Sequence, residues 1–542
     1  MGNYTGSDFF MKKRGLCVFF LLALALTGIG IRIAFIGTQI RETATSQTSQ
    51  TVDIARLRGT VYDCNLQPLT NGETCLYAAA KPSVYALSQI KGKVLPEVFD
   101  SVAQRMGEGR PVAVKIDAPV EENGDIIQLV VPERYDSDSL ACHIIGSTGG
   151  GKGISGIEKA YDGLLLESGS TVRVRFPSNA RGRVMLGEEI TVEGGNADDG
   201  VVLTIDKNIQ LIAENALDES GAKCGAAVVI EIESGAVRAC VSRPSYNQNN
   251  LSASLDNPDS PLINRALLPF SVGSVFKPVV AAAALEKGIS EGFTYNCTGS
   301  VTYNGVTFNC HKKEGHGVLN MEDAVAFSCN TYFTALAVET SGEKIIETAD
   351  DFGFGKEIPL ADGIFSASGH LPRRDELDSR AALANFSFGQ GSLTATPLQI
   401  CAAMAVIGGG GVYIRPSLVE GEMRNGEIIR IRKYSEKKRV ISPLTAEMLK
   451  GFLEKVVSEG SGKRAAAEGV TVAGKTATAQ TGRSIGGEEI YNAWFAGFFP
   501  AEGPEYAVAV LVENGGEGAL SCAPIFGKIA EEVTAYNSKK EQ

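Results

Sequence analysis

The longest apolar stretch of this chain runs without a charge from Gly15 to Ile31 and, with Arg32 able to snorkel, continues to Gly37. At about 1.5 Å per residue such a helix crosses a hydrocarbon core of roughly 30 Å. Residues 38 to 57 turn polar and rich in Thr, Ser and Gln, which predicts an exposed linker. From Arg58 to about Asn196 strand-like and helix-like pieces alternate with glycine-rich connections such as Gly149–Gly153, and no catalytic constellation stands out. A further domain is predicted from residue 197 to 542. Val201–Ile205 reads as a strand, followed by a helical pattern through Ala216. Ala226–Ile232 and Ala236–Val241, joined at Ser234 and Gly235, read as an antiparallel hairpin of central strands. A largely helical middle extends to about Ala405. Strands return at Val470–Ala473, Ala493–Phe499 and Tyr506–Val512, before a closing helix near Ile525–Tyr536. Strands at both ends of a helical insert predict an α+β domain, an antiparallel sheet flanked by helices.

The N-terminal pattern gains direction from Lys12, Lys13 and Arg14, which precede the apolar run. They predict a short cytoplasmic tail (1–14), an anchor (15–37), and everything beyond outside the membrane. The only A-x-A match, Ala23–Ala25, falls inside the apolar run, which favours an uncleaved anchor over a cleaved signal peptide. A chain of 542 residues has room for two or more domains, and a net charge of −12 argues against a general nucleic-acid-binding surface. The 11 cysteines follow no regular framework. Cys297 and Cys310 flank a predicted hairpin with an Asn304-Gly305 turn, which leaves open either a disulfide between them or two thiols. Neither the cysteines nor the four histidines, His311 and His316 included, show a zinc spacing. The expectation is therefore no metal and no cofactor.

Candidate chemistry centres on Ser274 and Lys277, three residues apart at the start of an apolar helix. That spacing puts both side chains on one face, so an amine can draw the proton from the hydroxyl. Pro278, tolerated only near a helix start, places Ser274 within about one turn of the N-terminus, where backbone N–H groups favour a developing oxyanion. The Val and Ala residues around Lys277 would desolvate it and lower its pKa. A Ser-x-x-Lys pattern alone is weak, since it recurs at Ser88/Lys91, Ser220/Lys223, Ser341/Lys344 and Ser435/Lys438. Two companions single out Ser274: Ser328-Cys329-Asn330, and Lys475-Thr476-Ala477-Thr478. Asn320 and Asp323 are placed to cap a helix through Ala326, leaving Ser328 on the loop after it. Gly469–Thr476 also matches the phosphate-loop pattern letter for letter, but its Val-Thr-Val-Ala interior reads as strand, and the sequel continues as strand and turn instead of helix.

In this order and at these separations the three motifs resemble the Ser-x-x-Lys, Ser-x-Asn and Lys-Thr-Gly set of penicillin-binding proteins and serine β-lactamases. The likeness is to the class B penicillin-binding proteins, monofunctional D,D-transpeptidases. It extends to Arg58–Asp63, Gly153–Tyr161, Leu203–Gln210, Asn264–Ala266 and Gly389–Gln399. It implies that residues 58–196 form an elongated pedestal and 197–542 the transpeptidase domain. It implies Ser274 as nucleophile toward a D-Ala-D-Ala stem peptide, Lys277 as its base, Ser328 as proton relay and Asn330 as donor to the substrate amide. Lys475 would supply positive charge, Thr476 and Thr478 would take the terminal carboxylate, and the N–H groups of Ser274 and Thr478 would form the oxyanion hole. β-Lactam antibiotics become expected inhibitors, and a SEDS-family glycan polymerase an expected membrane partner. Ala477 stands where the family usually has glycine, and its methyl is expected to crowd the pocket floor beside Lys475. A D,D-carboxypeptidase, a β-lactamase and a weakly catalytic β-lactam sensor are the alternatives for the same site. Trp494, the only tryptophan, is expected in a strand or core.

Overall fold

The computed structural model describes residues 7–46, 49–179, 181–186, 188–430 and 437–540. The chain divides into two compact units, one of Met1–Leu57, Thr74–Pro132 and Ser170–Asn196, the other of Arg58–Glu73, Glu133–Gly169 and Ala197–Gln542. The first unit begins with a helix over Ser7–Ser46, within which Lys13–Gly37 is long and apolar enough to cross a membrane. The first six residues of the predicted tail lie outside the described residues, as do residues 47–48 of the predicted linker. The rest of that linker is structured. The helix continues to Ser46, and Ser49–Arg56 is a strand paired antiparallel with Thr171–Pro177. Polar composition hid this strand because only Val52 and Ile54, two residues apart, turn inward to Val174 and Phe176. A second sheet, with Thr74–Ala80 between Val112–Ile116 and Ile126–Pro132, packs on the helices Val84–Ile90 and Pro96–Gly107.

Segments 58–73 and 133–169 fold with the second unit, across the linear division at residue 196. Thr60–Tyr62 pairs in parallel with Gly200–Leu203. Glu158, fully buried, receives Arg58 at 2.9 Å, Arg134 at 2.6 Å and the Tyr135 hydroxyl at 3.1 Å. Losing one partner of such a buried pair costs about 3–5 kcal/mol, because the remaining charge is stranded without water.

The main sheet of the second unit has five strands: β1 (Gly225–Glu231), β2 (Val237–Arg243), β3 (Ala473–Ile485), β4 (Glu488–Phe499) and β5 (Tyr506–Val512). Their order is β2-β1-β5-β4-β3, antiparallel throughout. The hairpin of β1 and β2 forms as expected, but β2 lies at an edge of the sheet and not at its centre. Val228 and Ile230 of β1 enter one core, Ala227 and Val229 the other, so both faces are buried. Helix α1 (Lys277–Glu286) and the helix Pro397–Gly408 contribute to the first core. The second core takes Lys207–Glu219, capped by Asp206, and the closing helix Gly518–Lys540. Val201–Ile205, expected as a strand, forms one over Gly200–Leu203 that joins a separate four-stranded sheet. Between α1 and the next helix the expected helical middle is interrupted by short hairpins, Tyr295–Cys297 with Gly317–Leu319 and Ser300–Tyr303 with Val306–Asn309. Helices α2 (Met321–Ala326) and α3 (Asn330–Thr340) follow.

Candidate active site

Ser274 lies in a 3-10 turn, Gly273–Phe276, that runs directly into α1, with Pro278 in the helix's first turn. In such a turn residues three apart eclipse, so Ser274 and Lys277 share a side more closely than in an α-helix. Two glycines make the turn possible. Gly273 has φ +67°, and its N–H donates to the Gly389 carbonyl at 2.8 Å. A Cβ on Gly389, itself at φ +76°, would sit 2.0 Å from the Gly273 carbonyl oxygen. On its other side the turn meets β3: a Cβ on Gly273 would lie 3.1 Å from Ala479 Cβ and 3.4 Å from Ala477 Cβ. The Trp494 indole, fully buried in β4, donates to the Ser271 carbonyl at 2.9 Å and ties the approach to the turn onto the sheet. Val275 and Phe276 are buried, while Ser274 stays half-exposed.

Lys277 is wholly buried, and its amine donates to the Ser328 carbonyl at 2.7 Å, to Ser328 Oγ at 3.2 Å and to Asn330 Oδ1 at 2.8 Å. The Phe333 ring lies 5.4 Å from it. Burial pushes its pKa down to about 8. The loop that meets it begins where α2 stops. Asn320 caps α2 as expected by accepting from the Asp323 N–H at 2.9 Å, but the Asp323 carboxylate turns away from the cap to Lys455, at 2.8 Å. The stronger attraction of the ammonium, shared with Glu322 at 3.0 Å, outcompetes a second capping bond. Ser328 then takes φ +55°, a left-handed conformation rare for serine. Asn330 opens α3, and its Nδ2 donates to the Asn309 carbonyl at 3.1 Å.

Along β3, alternation sends Lys475, Ala477 and Ala479 to one face and Thr476 and Thr478 to the other. Lys475 is fully buried and donates to the Thr476 carbonyl at 3.1 Å. Burial, and secondarily the charge of Lys277, hold its pKa well below the usual lysine range. Ala477 is 3 % exposed, so its methyl bears on the serine turn more than on open pocket. The Thr476 hydroxyl pairs with Ser461 Oγ at 2.9 Å, whereas Thr478 is exposed and its hydroxyl accepts from the Gly518 N–H at 3.3 Å. Because β3 is an edge strand, part of its backbone faces away from the sheet. The phosphate-loop pattern ends inside this strand, which continues to Ile485 with no helix following.

The hairpin at Asn304-Gly305 forms, with both residues at positive φ. Its flanking cysteines are nevertheless free thiols. Cys297 Sγ lies 3.6 Å and Cys310 Sγ 3.4 Å from His316 Nδ1, and Cys310 Sγ is 3.9 Å from Cys329 Sγ. Separations of thirteen, six and thirteen residues carry no local zinc spacing, yet two short hairpins and the α2–α3 loop bring the four side chains together. Lys455, Ser461, Phe333 and the Asn309 carbonyl are further supports that sequence reasoning missed, none of them lying in a motif.

Comparison with known proteins follows the same outline. The penicillin binding protein transpeptidase domain matches residues 225–531, more than half of the chain. This chain belongs to the penicillin-binding protein family. It is 31% identical over 419 residues to stage V sporulation protein D of Bacillus subtilis, covering 74% of this chain and 63% of that protein. To peptidoglycan D,D-transpeptidase FtsI of Escherichia coli K12 it is 31% identical over 411 residues, 73% of this chain and 66% of that one. The chain thus spans just under two thirds of the length of these relatives, which lie among the class B penicillin-binding proteins. A crystal structure of the D,D-transpeptidase domain of a peptidoglycan glycosyltransferase from Eggerthella lenta superposes with a TM-score of 0.66 at 26% identity, over 90% of this chain and 99% of that one. In this penicillin-binding protein the three motifs occupy the turn, the loop and the edge strand just described.

Proposed function

We propose that this chain is a membrane-anchored peptidoglycan D,D-transpeptidase, with Ser274 as its nucleophile. The observation that carries the reading is the Lys277 amine, desolvated and three residues from Ser274, bonded to both Ser328 and Asn330. A buried amine of this kind has a lowered proton affinity and serves as a base. Neutral Lys277 takes the Ser274 proton as Oγ attacks the carbonyl of the penultimate D-Ala. The tetrahedral oxyanion is received by the N–H groups of Ser274 and Thr478 at the edge of β3, a type of contact whose loss costs roughly a hundred- to a thousand-fold. As the C–N bond breaks, the proton passes from Lys277 through the Ser328 hydroxyl to the departing D-Ala amine. An acceptor amine then attacks the ester, the same path run backward restores Ser274, and a cross-link results.

Substrate binding follows from the remaining groups. Asn330 holds the stem-peptide amide. Exposed Thr478 takes the terminal carboxylate, while Thr476, engaged by Ser461, steadies the strand. Among the described residues Lys475 has no acidic partner within its dry site, so an arriving carboxylate would recharge it. A β-lactam acylates the same serine, but its leaving nitrogen stays tethered and the adduct persists. Lys12–Arg14 place the N-terminus inside, the apolar helix spans the membrane, and the catalytic unit works outside. The relatives named transpeptidases support this reading, and the family resemblance points to a SEDS-family polymerase beside the anchor. Incubation with a D-Ala-D-Ala stem peptide and an amine acceptor should release D-Ala and yield the amide in preference to the free acid. Release of acid alone, at any acceptor concentration, would favour a carboxypeptidase.

A further inference from the structure

We propose that Ser461 is a tie between the loop that carries Ser328 and the edge strand that carries Lys475, and so a positioning residue for the reaction proposed above, on which its catalytic meaning rests. The residue sits in the sequence Glu459-Gly460-Ser461-Gly462, directly after the helix Pro443–Ser458. The Ser461 N–H donates to the Ala326 carbonyl at 3.1 Å. Ala326 is the last residue of α2, where carbonyls have no partner within the helix, and it stands two residues before Ser328. The Ser461 hydroxyl meets the Thr476 hydroxyl at 2.9 Å, one residue beyond Lys475 on β3. Thr476 is 6 % exposed, so water competes little for this bond. One side chain and its own N–H thus join two segments that lie far apart in sequence.

The packing around Ser461 leaves it little choice. A Cβ on Gly460 would lie 2.3 Å from the Ala326 carbonyl oxygen, and one on Gly462 would lie 3.0 Å from Val456 Cγ1 and 3.3 Å from Phe495 Cε2. The loop is therefore pressed against the end of α2 on one side and against β4 on the other. The Gly460 N–H donates to the Lys455 carbonyl at 2.9 Å and the Gly462 N–H to the Val456 carbonyl at 2.8 Å, which folds the loop back onto its own helix. That helix also grips the start of α2 through Lys455, bonded to Glu322 and Asp323. One segment thus fixes α2 at both ends and holds β3 as well. The bracket matters because β3, as the edge strand, has a sheet neighbour on one side only. The proposed reaction needs Ser328 and Asn330 from the loop and Lys475 and Thr478 from the strand in register around Ser274. A misplacement of about 1 Å can cost roughly a hundredfold in rate. The Ala326 bond also bears on Ser328, whose φ of +55° persists only where the surroundings over-determine it.

The test compares the full chain, purified in detergent, with Ser461→Ala and Ser461→Thr. Hydrogen exchange read by mass spectrometry should rise roughly three- to tenfold in Ser461→Ala at two separate segments, 326–332 and 474–479. It should return toward wild type in Ser461→Thr, which keeps the hydroxyl. Acylation by a fluorescent penicillin, followed over a range of drug concentrations, should lose about tenfold in maximal rate in Ser461→Ala, with a smaller change in the half-saturating concentration. Ser461→Thr should recover most of that rate. Because the tie acts through the Thr476 hydroxyl, Thr476→Val should slow acylation to a similar degree, and Ser461→Ala added to Thr476→Val should slow it no further. Wild-type exchange at either segment in Ser461→Ala would overturn the tie. Loosened segments with unchanged acylation, a loss that Ser461→Thr does not relieve, or additive losses in the double variant would overturn the positioning role. The exchange readout stands apart from the proposed function: two loosened segments in a chain whose Ser274 never reacts would sink the catalytic reading and leave the tie intact.

Discussion

Lys277 and Lys475 are both fully buried, and Lys277's charge helps to push the Lys475 proton off. Two ammonium groups sharing one dry site would repel at an effective dielectric far below that of water, so the resting site holds few protons. For Lys277 the consequence is measurable. Its pKa is lowered from the ordinary 10.5 to about 8 by burial, so the amine is mostly neutral above that pH and mostly protonated below it. In the proposed role only the neutral amine accepts the serine proton. Acylation by a chromogenic β-lactam, followed by stopped flow, should rise about tenfold per pH unit below about 8 and level off above it. A rate flat from pH 6 to 9 would remove Lys277 from the role of base. Stability carries the same signature. Between about 8 and 10.5 the unfolded chain binds the proton that the folded one has shed, so this group's contribution to stability increases as pH rises through that window.

At the scale of elements, the serine turn is held by backbone more than by side chains. Gly389 approaches so closely that an added Cβ would lie 2.0 Å from the Gly273 carbonyl, at a φ that already disfavours any side chain. Gly389→Ala should therefore destabilise the chain by about 2–4 kcal/mol in urea melts, from left-handed strain plus overpacking, and slow acylation even where the fold survives. Wild-type melting with a wild-type rate would mean that the clamp is dispensable. Much of this architecture was legible in advance. The apolar helix after Ser274, the β1–β2 hairpin and the strands around Trp494 announce themselves because their burial is local and continuous. The alternation of β1 was not visible, because Val228 and Val229 face different cores and both must be apolar. The strand Ser49–Arg56 was concealed by polar residues on its outer face, and the Asp323 side chain by a lysine 132 residues away in sequence. The cluster of Cys297, Cys310, His316 and Cys329 was illegible for the same reason, since no periodicity encodes a meeting of two hairpins and a loop.

For the molecule as a whole, the division of labour lies between a unit that starts with a membrane-length helix and a unit that carries every motif residue. Segments 58–73 and 133–169, placed by chain order with the expected pedestal, supply the buried Arg58–Glu158–Arg134 network of the second unit. Such non-local stitching makes the second unit depend on segments that the first unit's segments interrupt along the chain, and no linear cut reproduces it. All of its elements converge on one claim, that Ser274 is the covalent centre. The most direct measurement is peptide mapping by mass spectrometry after brief exposure of the full chain to penicillin, alongside Ser274→Ala. The expected result is a long-lived adduct of the intact drug mass on the peptide containing Ser274, and no labelling of a Ser274→Ala variant that melts like the wild type. An adduct on another serine, or undiminished labelling of Ser274→Ala, would contradict it.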